Sequence, residues 1–62
     1  MTNEELLATA EVELIRARKA GKDTVDLQRA INTLDFCMNN EDSAGINFFR
    51  SVLLTEIEEL KG

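Results

Sequence analysis

Apolar residues recur every three to four positions in three stretches of this chain, and two short polar breaks separate the stretches. At 3.6 residues per turn, that spacing gathers the apolar side chains of each stretch onto one face of an α-helix. Val, Ile and Phe do not alternate at period two, so strands are not expected. The first stretch opens with Thr2 three residues before Glu5, the pattern of a capping box, and closes at Gly21. Glu4 and Glu5 lie at its start, and Arg16, Arg18, Lys19 and Lys22 at its end, an order that complements the helix dipole. Asp23 or Thr24 can cap the second stretch, with Asp26 in its first turn. The run Asn39-Asn40-Glu41-Asp42-Ser43 ends it, and Asp42 or Ser43 can cap the third, which continues to Leu60. Gly45 in that first turn reads as a mild weakness, up to about 1 kcal/mol against alanine. The pattern predicts helices over about 3–20, 24–39 and 44–60 in one small domain spanning 1–62. The expected fold is all-α, a three-helix up-down-up bundle or a helical hairpin, completed by self-association.

Size makes that last element part of the expectation. A chain of 62 residues builds a core that rarely supplies more than about 3–5 kcal/mol. The single cysteine, Cys37, has no partner for an internal disulfide, and without any histidine it makes no zinc site. Association with another chain is the support left open.

Projection at about 100° per residue shows what each helix must bury. The second helix carries one stripe of Leu27, Ala30, Ile31, Leu34, Cys37 and Met38, with Phe36 on the opposite side and Val25 on that side at the other end. The first has a main stripe of Leu6, Leu7, Ala10, Leu14 and Ala17, and a second of Ala8, Val12 and Ile15 on nearly the opposite face. In the third, Ile46, Phe49, Leu53, Ile57 and Leu60 form a continuous stripe that Phe48 and Val52 widen. One stripe per helix suffices for a monomer. Val12, Ile15, Phe36, Phe48 and Val52 are surplus, and the reading assigns them to a protein-binding surface, with a homodimer as the commonest symmetric solution. The competing reading is that tilted packing draws them into a wider core.

The net charge of −5 argues against nucleic acid or an anionic membrane as partner, because both require clustered Lys and Arg. No apolar run approaches the roughly 20 residues that cross a bilayer. The start Met-Thr-Asn-Glu-Glu is acidic where a signal peptide is basic, so an intact, soluble, cytoplasmic protein is expected. In an up-down-up arrangement the cations ending the first helix meet Glu56, Glu58 and Glu59 at the end of the third. Surface pairing that sets topology is the expected role of these charges. An acidic patch for a basic partner and an anion site built on Arg16, Lys19 and Lys22 are the alternatives.

Most site chemistries are missing. Without histidine there is no Ser–His or Cys–His nucleophile pair and no Glu-x-x-His di-iron motif. Glu56 and Glu58 project about 160° apart on a helix and do not converge on a cation. The segment from Asp35 lacks the glycine and the glutamate of a calcium loop, with Ile46 in the latter's place. Gly21, Gly45 and Gly62 are isolated, so no phosphate loop forms. Cys37 reads as a buried structural thiol. As the recognition helix of a helix-turn-helix DNA reader, the third helix offers only Asn47, Arg50 and Lys61 against three glutamates. No enzyme activity, cofactor or metal is expected. The expected function is that of a small helical interaction module: an adaptor, regulator or inhibitor of a larger protein, such as bacterial or phage accessory proteins. A subunit completing another protein's bundle, an anionic-ligand binder and, last, a DNA binder are the other readings.

Overall fold

The computed structural model describes residues 1–61. Three α-helices stand where the periodicity places them: α1 (Asn3–Lys19), α2 (Val25–Asn39) and α3 (Ser43–Lys61). Each boundary agrees with the sequence expectation to within one residue. Thr2 and Glu5 form the capping box at the start of α1, with the Glu5 amide donating to Thr2 Oγ1 at 3.1 Å and the Thr2 amide to Glu5 Oε1 at 3.2 Å. At α2 the residue that accepts is Asp23, whose Oδ1 takes the Val25 amide at 3.0 Å, while the Thr24 side chain makes no capping bond. At α3 it is Asp42, whose Oδ1 takes the Gly45 amide at 3.0 Å.

Both connections close in the same way. After α1, the Lys22 amide donates to the Ala17 carbonyl and the Gly21 amide to that of Arg18. After α2, the Asp42 amide donates to Cys37 and the Glu41 amide to Met38. These are Schellman motifs, which satisfy the last carbonyls of a helix around one left-handed residue. Gly21 occupies that position in the first, at φ 75°, and Glu41 in the second, at φ 55°.

Each helix packs against both others, so the architecture is the bundle and not the hairpin. Leu6, Leu27, Leu34 and Leu53 are fully buried at its centre, with Ala10, Leu14, Ala30, Ile31 and Ile57 completing the core. Leu7, Met38, Ile46, Phe49, Val52 and Leu60 pack around it, half-buried. Two long-range contacts fix the up-down-up direction. Arg50 on α3 donates to the Asn3 side chain and, at 2.9 Å, to the Met1 carbonyl. At the far end of α1, the Lys22 ammonium donates to the Leu60 carbonyl at 2.6 Å. Helices α1 and α3 therefore run parallel.

The charge pairing expected between the ends of α1 and α3 takes a different form. Among the described residues the only ion pair is Arg16 with Glu13, 3.4 Å apart within α1. Lys22 meets α3 through a backbone carbonyl, because the last turn of a helix presents unsatisfied carbonyls at its negative end, within reach of a lysine stem. Gly45 also differs from expectation. A Cβ there would lie 2.5 Å from Asp42 Oδ2 and 2.7 Å from Cys37 Sγ, so the glycine is what lets the first turn of α3 approach α2 and its own cap.

Candidate functional site

The apolar residues that the core leaves over face outward on all three helices. Phe36 is 66% exposed, Phe48 63%, Ile15 54% and Val12 49%. Val52 is half-buried and packs against the core. Val25, Leu54 and Met1 are also exposed. Leu54 lies on α3 beside the main stripe in projection, and its exposure is decided by packing and not by spacing, so the sequence did not single it out.

Two shallow grooves organise part of this surface. One, about 330 Å³, runs along α3 and is lined by Phe48, Ser51, Val52, Thr55 and Glu56. All five lie on α3, at positions three, four, seven and eight residues on from Phe48, so a single helix supplies the whole lining. The Phe48 ring stands edge-on to Phe49, with centroids 5.0 Å apart and planes at 87°, a favourable aromatic geometry that holds Phe48 in place. Glu56 at the end of this groove is half-buried. Burial first, then Glu59 and Asp26, raise its pKa above the ordinary glutamate value.

The other groove, about 410 Å³, lies between α1 and α2. Leu7, Leu14, Ile15 and Ile31 supply its apolar part. Gln28 and Asn32 sit along it and are satisfied: Gln28 Oε1 accepts from Arg18 at 2.9 Å, and Gln28 Nε2 donates to Asn32 Oδ1 at 3.0 Å. Glu11 and Asp35 also line it, and neither makes a side-chain hydrogen bond or ion pair among the described residues. Nothing in the sequence announces this groove, because it needs to be known which flanks of α1 and α2 come together.

The structure thus brings Phe48 and Val52 to one groove and places Ile15 in the other. Val12 and Phe36 line neither. Of the basic residues, Arg16 and Lys22 reach a third, smaller groove with Glu13 and Leu60, and Lys19 stands outside its lining. Arg16 is paired with Glu13, and Lys22 caps α3. Arg50, considered above for nucleic-acid contact, is turned inward to the start of α1. Cys37 is a free, buried thiol. Among the described residues, no group of three or more His, Cys, Asp or Glu is placed to hold a metal ion, and no helix is long and apolar enough to cross a membrane.

Fold and surface together define a small all-α three-helix bundle whose surface carries open grooves lined by both apolar and polar side chains. Compared with protein-family models, with curated proteins and with solved structures, the chain matches none.

Proposed function

We propose that this chain is a small acidic protein-interaction module, an adaptor, regulator or inhibitor acting by surface contact, and that it pairs as a homodimer through the outward face of α3. The observation that carries the reading is the Phe48 ring, largely exposed and held edge-on to Phe49 at the mouth of the α3 groove. Rigid aromatic side chains are the commonest energetic anchors of protein interfaces, since little entropy is lost when they are covered. The reading places the protein in the cytoplasm, where a lone thiol such as Cys37 stays reduced.

A second copy fits the α3 face when the two helices run antiparallel. With the two-fold axis between Ser51 and Val52, Phe48 falls opposite Thr55 of the partner subunit. Glu56 and Glu59 then lie against the first turns of the partner's α3, where the helix dipole is positive. Within one chain these acids sit near the negative end of their own helix, so antiparallel pairing moves them into a favourable field. Ser51 at the centre is small enough for the helix axes to approach. One helix face per subunit lies at the low end of specific interfaces, below about 1,200 Å², so the dimer is weak and concentration-dependent.

Ser51→Cys tests this arrangement, because buried Cys37 does not compete. Mild oxidation is expected to crosslink Ser51→Cys to a dimer, to leave Ala44→Cys alone uncrosslinked, and to join Ala44→Cys with Glu59→Cys when the two are mixed. Crosslinking of Ala44→Cys to itself would mean parallel helices, and no crosslink at position 51 would remove the α3 face from the reading.

A further inference from the structure

The groove between α1 and α2 lies across the bundle from the outward face of α3, and its two carboxylates are arranged in an unusual way. The hydrogen bond from Arg18 to Gln28 fixes the level at which the antiparallel α1 and α2 pass each other. Seven residues back along α1 from Arg18 is Glu11; seven residues forward along α2 from Gln28 is Asp35. The two acids therefore stand at one level on opposite walls of the groove, without partners among the described residues. By the same count Ile15 and Ile31 stand at one level, one turn away, about 6 Å along the helix axes. Like charges facing one another beside apolar side chains are unfavourable, and a cation set between them reverses the sign of the interaction.

We infer that this groove receives a basic amphipathic helix of a partner protein, with an Arg or Lys seated between Glu11 and Asp35 and an apolar side chain, four residues along the partner helix, between Ile15 and Ile31. Complementary charge names the partner's chemistry, and the one-turn offset between the acid pair and the isoleucine pair names its spacing. Arginine suits the position better than lysine, because its planar fork donates to two carboxylates at once. A second copy of this chain fits the position poorly: its one Arg or Lys with Leu, Ile or Phe at both i−4 and i+4 is Arg50, between Ile46 and Leu54, and Arg50 is turned inward to the Asn3 side chain and the Met1 carbonyl. The surface is distinct from the α3 face, so the two proposals fail separately.

The probe is a designed helical peptide of about 16 residues, some 24 Å long, with a central Arg and Leu at i−4 and i+4, titrated into the intact chain by fluorescence anisotropy. Binding is expected with a Kd on the order of 10–100 µM, weakening as salt is raised. The same peptide with Glu for Arg is expected to bind at least tenfold more weakly. Glu11→Gln with Asp35→Asn, both at exposed positions, lowers affinity for the Arg peptide about tenfold and flattens its salt dependence, with the circular dichroism spectrum unchanged. Ile15→Gln weakens it as well, whereas Phe48→Asp leaves it unaltered. Equal binding of the two peptides, no binding at about 1 mM, or loss on Phe48→Asp in place of the acid variants would each overturn the inference.

Discussion

Glu41 holds a backbone angle of φ 55°, a left-handed conformation that costs a residue with a Cβ about 1–2 kcal/mol. It does so as the turning residue of the Schellman motif after α2, where Gly21 serves in the equivalent place after α1. Glu41→Gly is therefore expected to stabilise the fold by about 1 kcal/mol, seen as a rise of roughly 4–8 °C in melting temperature. A fall in melting temperature would mean that the Glu41 side chain supplies something its exposed position does not suggest. Glu56 is the second residue out of equilibrium with its surroundings. Its pKa is raised in the folded chain by burial, Glu59 and Asp26, in that order. A carboxyl group that protonates more readily when folded contributes stability at low pH, and that contribution is lost as pH rises through its folded value. Glu56→Gln is accordingly expected to be more stable than the parent at pH 7 and to lose part of the parent's gain on acidification, measured by urea unfolding at pH 7 and pH 5. An unchanged difference between the two pH values would contradict the assignment.

At the scale of elements, the contact of α2 with α3 depends on Gly45. In an unhindered helix Gly→Ala gains about 1 kcal/mol from propensity. Here the new methyl meets Cys37 Sγ and the Asp42 carboxylate, the first fixed in the core and the second fixed as the cap of α3. Gly45→Ala is expected to destabilise by about 1–3 kcal/mol, and stabilisation instead would show that the first turn of α3 has room to shift. The three helices were legible in the sequence because what makes them is local: the Thr2–Glu5 box, apolar spacing, and Asp23 and Asp42 ahead of α2 and α3. Gly45 was misread because its neighbour Cys37 belongs to another helix. Glu41 gave no signal, since left-handed residues are normally announced by Gly or Asn. The surplus apolar residues were legible one helix at a time. Which of them share a groove was not, because that depends on the rotation of each helix in the bundle.

For the molecule as a whole, four leucines carry the centre. Leu34→Ala removes a fully buried side chain at a cost of about 2–5 kcal/mol, comparable with everything a core of this size supplies, about 3–5 kcal/mol. The variant is expected to be largely unfolded at 25 °C by circular dichroism; a fully helical, cooperative variant would show that the core is not the main source of stability. The same narrow margin is what the proposed self-association would relieve, since covering Phe48 and Val52 adds burial that one chain cannot provide. On this account α3 joins two copies while the α1/α2 groove of each stays open on the far side. The most direct test of the dimer is the molar mass by light scattering after gel filtration, with the wild type and Phe48→Asp at on the order of 100 µM. The wild type is expected to approach twice the mass of one chain, and Phe48→Asp to elute as a single chain with its helical spectrum intact. A wild type that remains one chain at that concentration would contradict the proposed dimer.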